Sequence, residues 1–410
     1  MNERRRVYFD HNATTPVHPA VLEAMLPYLK EQYGNPSSGH QFGRAVRNRI
    51  AEAREIVAAA LGAKPAEIYF TSGGTESDNL AIKGYAWANR KTNGGAIVTS
   101  SIEHPAVLEV VKYLGKNGFQ TRILKVGPDA LVDLGEVREA LDAGVALISV
   151  MHGNNEVGSI QPVAEIAAMA KERGAAMHTD AVQTFMKIPV KVDELGVDML
   201  SLSGHKINAP KGVGALYVRK GIKLTPLNHG GHHERGVRAG TENVPGIIGL
   251  AKAVELGVAN MEENARRARE LRDELERRIL AEIPFVIVNG HRERRTPNTL
   301  NVTFECVEGE ALLINLDMAG IAISTGSACS SGSLDPSHVL MAMGIPHELI
   351  HGSLRFSVGH ENTREDIDYV MRHLPRIIAS VREISPLWDV KNQRVVSVEE
   401  AAAGARIARK

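Results

Sequence analysis

Lys206 sits in Ser203-Gly204-His205-Lys206, directly after the apolar run Asp198 to Leu202, and Asp180 closes another short run twenty-six residues earlier. A lysine amine can hold a carbonyl cofactor as a Schiff base, and a carboxylate can keep a pyridine nitrogen protonated so that the ring accepts electrons. That pairing suits pyridoxal 5'-phosphate. Taken alone, an Asp and a Lys at strand ends also read as solvated surface charges. Ser72-Gly73-Gly74-Thr75-Glu76-Ser77 lies between a strand and a helix, where backbone N–H groups and the helix dipole favour a phosphate. The same residues read equally as an ordinary helix N-cap. Ser203 and His205 add two phosphate donors, and His104, in Ser101-Ile102-Glu103-His104-Pro105, offers a flat ring to a pyridine face. A histidine that caps the following helix is the alternative for His104.

The elements that must position these groups follow from periodicity. Short β-rich runs (Ile68 to Thr71, Ala96 to Ser100, Thr121 to Val126, Val145 to Met151, Ala176 to Thr179, Met199 to Leu202, Ala215 to Val218) alternate with helical patterns. The helical stretches are Glu76 to Asn89, Ala106 to Asn117, Leu134 to Asp142 and Val163 to Arg173. This predicts an α/β fold with a mostly parallel sheet covered on both faces, and ligands bind such sheets beyond the strands' carboxyl ends. From Pro245 to about Ile283 the pattern is one long helix, whose densely charged second half, Glu262 to Arg278, reads as a solvated face. A second set follows: Phe285 to Val288, Leu300 to Phe304, Glu310 to Ala319, Ile321 to Ser324, Ser337 to Met343, Leu354 to Val358 and Glu365 to Arg382.

The chain of 410 residues is long enough for two unequal cores, because a single core stops growing near about 250 to 300 residues. The expected division is a large domain over 15–258, a smaller α+β domain from 1–14 with 259–384, and a tail over 385–410. Forty-eight basic and forty-eight acidic residues cancel, so no net field draws the chain to nucleic acid or a membrane. No run of about 18 apolar residues occurs, and the chain reads as cytoplasmic. Two cysteines, Cys306 and Cys329, give neither a disulfide framework nor a CxxC metal site.

Tyr8-Phe9-Asp10-His11-Asn12-Ala13-Thr14-Thr15-Pro16, Gly34-Asn35-Pro36-Ser37-Ser38, Thr71 to Ser77, Asn154-Asn155-Glu156, His178 to Gln183, Ser203 to Lys206 and Arg238-Ala239-Gly240-Thr241 together resemble cysteine desulfurases of the NifS/IscS group. The resemblance runs from about Val7 to about Ile384, with the motifs in family order. It implies PLP fold type I, the aspartate aminotransferase-like architecture. It further implies Lys206 as the Schiff-base lysine, Asp180 on the pyridinium, His104 stacked on the ring, and Gln183 and Asn155 on the phenolic oxygen. Gly74, Thr75, Ser203 and His205 are implied to hold the phosphate. Thr241 matches a residue that reaches the phosphate of the other subunit, so a homodimer with shared active sites is implied.

Cys329 lies among small polar residues in Ser324 to Ser333, unlike Cys306 in Asn301 to Cys306, which reads as a buried structural thiol. Arg355, in Leu354-Arg355-Phe356-Ser357, has the two-pronged donor geometry for an α-carboxylate, or for a structural salt bridge. The resemblance makes Cys329 the nucleophile, Lys206 the base, His104 a proton shuttle, and Arg355 with Asn155 the substrate anchors. The implied reaction takes L-cysteine to L-alanine and leaves a persulfide on Cys329. The sulfur is expected to pass to a NifU-like or IscU-like scaffold for iron-sulfur cluster assembly, with motifs closer to the nitrogen-fixation branch. A selenocysteine lyase, another enzyme on the same scaffold, and a non-catalytic assembly subunit are the rival readings. Two departures stand out: His229, His232 and His233 occupy a turn where a Gln is expected before Glu234, and Thr325 stands where many relatives have Ser. The three histidines read as surface residues near a dimer interface rather than a metal site.

Overall fold

The computed structural model describes residues 5–90, 94–325 and 336–396. Seven strands form the larger sheet in the order Ile68–Thr71, Gly214–Val218, Met199–Ser203, Ala176–Asp180, Val145–Ser149, Ala96–Ser100, Thr121–Leu124. Gly214–Val218 runs antiparallel to both neighbours and every other pairing is parallel. The Ile68–Thr71 strand therefore points the same way as the parallel set, and Thr71, Ser100, Ser149, Asp180 and Ser203 all arrive at one edge. The four strands from Val145 to Val218 are buried at every residue, as continuous apolar runs under helices on both faces should be.

Two observations limit what periodicity could show. The expected run Ile321 to Ser324 divides: Ile321–Ala322 pairs in parallel with Val7–Tyr8, while Ser324–Thr325 joins the antiparallel four-stranded sheet beside Ser353–Ser357. The charged half of the long Val244–Glu282 helix is not wholly solvated. Leu271, Leu275 and Ile279 enter a second core with Val7, Phe9, Phe304, Phe356 and Leu374. Arg272 and Glu276 are buried with them: Arg272 donates to the Thr296 carbonyl at 2.9 Å, and Glu276 is ion-paired with Arg295 at 2.7 Å. A charge run on a helix is thus consistent with burial when each charge has a partner. The apolar half of this helix has the composition of a membrane span, yet it packs against the Pro19–Lys30 and Gln41–Leu61 helices within the first core. Within 385–410, Trp388–Asp389 and Arg394–Val395 form a small antiparallel pair.

The turn that opens the Gly74–Asn89 helix is seated on the sheet by two glycines. Gly73 has φ +151° and ψ −174°, a region that side-chain-bearing residues essentially never occupy. A Cβ on Gly214 would lie 2.7 Å from the Gly73 Cα and 2.6 Å from the Leu202 carbonyl oxygen. Replacing Gly73 with Ala is expected to cost about 1–3 kcal/mol in strain. It should lower the unfolding midpoint of the cofactor-free protein in urea, whereas Gly39→Ala, with open space around its Cβ position, should leave it unchanged.

Candidate active site

At the shared strand edge, Ser203 gives way to a 3-10 turn, Gly204–Lys206, which turns the Lys206 side chain toward the N-terminal segment. Its Nζ donates to the carbonyls of Asn12 at 2.6 Å and Ala13 at 2.7 Å. Asp180 is 6 % exposed and accepts from the Val182 N–H at 2.8 Å. Burial pushes its carboxyl up to about 6, opposed by that N–H and by the Lys206 ammonium. Lys206 also acts on both neighbouring histidines. His104 is held down at about 4 by burial, then by Lys206 and His338, and His205 at about 4 by burial, then by Lys206, Lys211 and His104. His104 and His205 are thus neutral near pH 7. The His104 Nδ1 accepts from the Ala106 N–H at 3.1 Å, capping the Pro105–Lys116 helix, so its ring proton sits on Nε2. The hydrogen bonding of His104 is thus that of the helix cap.

Behind Asp180 lies a row of buried polar groups. His178 is bonded to Ser149 Oγ at 2.8 Å and Ser201 Oγ at 3.0 Å, and its Nε2 is 3.7 Å from Asp78. Asp78 Oδ1 and Glu103 Oε2 have no hydrogen-bond partner, and burial raises both carboxyls, Glu103 to about 8. Glu103 therefore stays protonated at neutral pH and Asp78 is shifted the same way, which leaves Asp180 as the carboxylate of the group best placed to ionise.

Pyridoxal phosphate fits these donors. The Gly74–Asn89 helix opens with no side-chain cap at Gly73, leaving its N-terminus free to hold a phosphate, with Gly74 half-buried and Thr75 exposed. A Cβ on Gly74 would lie 2.9 Å from Val182 Cγ2, so the approach to the sheet edge is open only to glycine. Ser203 is buried beside it, and His205 Nδ1 is bonded to Thr14 Oγ1 at 3.1 Å.

The antiparallel sheet brings Arg355 to the same place. It is 2 % exposed, with one Nη donating to Asp10 at 2.7 Å, the other to the Asn155 carbonyl at 2.9 Å, and Nε without a partner. A buried guanidinium with two of its five N–H bonds engaged and its Nε unpartnered is half-engaged, as a carboxylate anchor requires. Asn155 reaches Arg355 through its backbone, and Gln183 spends its Nε2 on the Asn12 carbonyl at 2.9 Å and its Oε1 on Lys187 at 2.9 Å.

The aminotransferase class-V profile matches residues 7–370. The chain belongs to the aminotransferase class-V family. It is 54 % identical to a cysteine desulfurase IscS of Dictyoglomus turgidum over 93 % of this chain and 97 % of that one. It is also 54 % identical to a cysteine desulfurase IscS of Methanosarcina thermophila, over 94 % of this chain and 95 % of that one. A solved NifS-like protein superposes with a TM-score of 0.86 at 41 % identity, over 92 % of this chain and all of its own. The fold is accordingly PLP fold type I, and the protein is a pyridoxal-phosphate-dependent enzyme.

Other expected residues of this class-V enzyme are distributed as follows. Cys329 lies outside the described residues. Thr241 is exposed and lines a crevice of about 70 Å³ with Ser72, Gly212 and Arg238, and Arg238 donates to Glu76 at 2.9 Å. His233 accepts from the Gly240 N–H at 3.3 Å, so this histidine of the unusual turn pins the Arg238 to Thr241 loop. Among the described residues no cluster of His, Cys, Asp and Glu is arranged to hold a metal. Cys306 is half-buried, donates to the Leu387 carbonyl at 3.1 Å, and burial pushes its thiol up. Sequence reasoning gave no role to Asp10, Asn12 or Lys187, although the first two lie inside a motif it used. Their partners are up to 345 residues away, so only the topology reveals them.

The buried histidines set an acid limit on stability. Burial holds His178 at about 3 and His152 at about 4, against 6.5 for the free side chain. Their stabilising effect is complete above about pH 6.5 and is lost as pH falls toward those values, each by about 1.4 kcal/mol per pH unit. The raised acids Glu103 and Asp180 act in the opposite sense over the same range, so the contrast is the test: relative to His152→Gln, the urea midpoint of the cofactor-free wild type should fall as pH goes from 7.5 to 5.0.

Proposed function

We propose that the protein is a cysteine desulfurase that converts L-cysteine to L-alanine and leaves the sulfur as a persulfide on Cys329. The observation that carries this reading is the meeting of Lys206, Asp180 and His104 with a half-engaged Arg355 across the Asn12–Ala13 segment. Relatives bearing the name cysteine desulfurase match almost the whole chain.

Bound pyridoxal phosphate supplies an electron sink for the carbanion left when substrate loses its Cα proton. The chain supplies the rest. Arg355 offers Nε and an Nη hydrogen to the substrate carboxylate, which would hold the substrate with its Cα within reach of Lys206. Lys206 Nζ takes the Cα proton. The Asn12 and Ala13 carbonyls then stabilise the resulting ammonium, since each accepts an N–H at short distance. Asp180, the carboxylate best placed to ionise, holds the ring-nitrogen proton. His104, neutral with its proton on Nε2, can pass that proton to substrate. The Cys329 thiolate attacks the substrate sulfur; the Cβ–S bond breaks with its electron pair moving to carbon, and a proton completes alanine.

The homodimer with Thr241 at the partner's phosphate belongs to this reading. It is supported by exposed apolar residues on one stretch of chain, Leu22, Leu29, Tyr33 and Phe42, the last two with ring centroids 6.0 Å apart. The persulfide sulfur is assigned to a NifU-like or IscU-like scaffold for iron-sulfur cluster assembly. Nitrogen fixation is the setting that the motifs around Asn155 and Thr241 favour. The cytoplasm is inferred from sulfur chemistry that needs a free thiol in a chain with two cysteines.

Wild type with L-cysteine and a reductant should release alanine and sulfide in equal amounts. Cys329→Ala should keep the cofactor absorbance and lose alanine by at least a hundredfold. A cofactor-loaded wild type that makes alanine from selenocysteine alone would move the assignment to a selenocysteine lyase. Arg355→Lys, which keeps the charge but loses the fork, should raise KM for cysteine at least tenfold with a smaller change in kcat.

A further inference from the structure

A cavity of about 260 Å³ opens between the Val244–Glu282 helix and the N-terminal segment. Of the cofactor residues only Lys206 contributes to its wall; Asp180, His104, Gln183, Ser203 and Arg355 do not. Its polar lining is one-sided. Lys187, His11, His18, His360 and Asn208, Asn260, Asn264 and Asn298 face it, and no carboxylate does.

Two of these groups have unfilled bonding capacity. His11 is 3 % exposed, its ring lies against Gly359 on the cavity wall, and its Nδ1 has no partner. Lys187 donates to Asn12 Oδ1 at 3.2 Å and Gln183 Oε1 at 2.9 Å, both neutral amide oxygens, which leaves a third ammonium hydrogen and no carboxylate to balance the charge. A buried ammonium is expensive without an opposite charge. Burial, then Lys206 and Arg355, push Lys187 down to about 7, and an anion in the cavity would oppose all three.

We propose that this cavity binds a small oxyanion, a carboxylate or phosphate, through Lys187 and His11. The volume corresponds to roughly eight or nine water molecules at about 30 Å³ each, room enough for such an ion. Occupancy is connected to the active site through Lys206 on the wall and through Asn12. Asn12 accepts from Lys187 on its side chain and from Lys206 on its carbonyl, so a ligand that draws Lys187 toward the cavity changes what holds Lys206.

The test is isothermal titration of the holoenzyme at pH 6.5 with sodium acetate and, separately, with inorganic phosphate. Arg355→Ala, Lys187→Met and Ala253→Leu are run alongside; Ala253 is buried on the cavity wall, and leucine there fills the space without touching charge. The expected result is one saturable site in wild type that persists in Arg355→Ala and weakens at least tenfold in both Lys187→Met and Ala253→Leu. Tighter acetate identifies a carboxylate site, tighter phosphate a tetrahedral oxyanion site. If Lys187→Met does not fold, the Ala253→Leu comparison decides alone. No saturable heat in wild type, an undiminished site in Ala253→Leu, or a site that disappears with Arg355 would overturn the proposal; the last outcome would place the anion at the substrate anchor.

Discussion

Asn12 is the residue on which the active site's geometry depends. Its N–H donates to Ser357, its side-chain amide to the Asn155 carbonyl and Thr299, and its side-chain oxygen accepts from Asn298 and Lys187. Its carbonyl accepts from Gln183 and Lys206. Every donor and acceptor the residue possesses is thus engaged, and the partners come from both sheets. A buried amide so fully satisfied has one low-energy position, because any rotation leaves several groups unpaired at about 1–3 kcal/mol each. Lys206, beyond the parallel sheet, and Arg355, on the antiparallel one, are brought into register through Asn12, whose carbonyl binds Lys206 and whose side chain shares the Asn155 carbonyl with Arg355.

Charge at the site follows from who is buried with whom. Asp78, Glu103 and Asp180 share a dry region, and three carboxylates cannot all ionise there. Burial raises the two with unpartnered oxygens, Glu103 far enough to keep its proton at neutral pH. Asp180, helped by the Val182 N–H and by Lys206, takes the single negative charge that a pyridinium partner needs. His178 stays neutral between two serine hydroxyls and adds no charge of its own. The polar row is a setting that fixes which acid is ionised.

The strands of the parallel sheet and most helices were legible because their apolar runs and caps are local. Ile68–Thr71, Ala96–Ser100 and Leu134–Asp142 coincide with the expected residues, and the other boundaries move by one or two positions. What local pattern could not show was pairing at a distance. Ile321 to Ser324 read as one strand since nothing in its sequence announces that Val7–Tyr8 will take its first half. Likewise Glu262 to Arg278 read as solvated because Arg272 and Glu276 meet Thr296 and Arg295, which lie beyond the helix end. Lys206 and Asp180 were visible as residue types at strand ends and Arg355 as an arginine inside a short apolar strand, whereas Asp10 on Arg355 and Lys187 on Asn12 emerge only once the two sheets are assembled.

The pairing of the N-terminal segment with the far end of the chain has a consequence for how the protein is made. Val7 and Tyr8 find their strand at Ile321 and Ala322, and Asp10 and Asn12 find theirs at Ser357. On a ribosome adding about 5–20 residues per second, the parallel sheet with Lys206 and Asp180 is complete well before those partners emerge. During that interval the nascent chain holds Lys206 with its carbonyl acceptors, Asn12 and Ala13, not yet anchored. Emergence of the segment from Ile321 to Ser357, rather than collapse of the first core, closes the site, and Val7 to Asn12 are fixed only when it arrives.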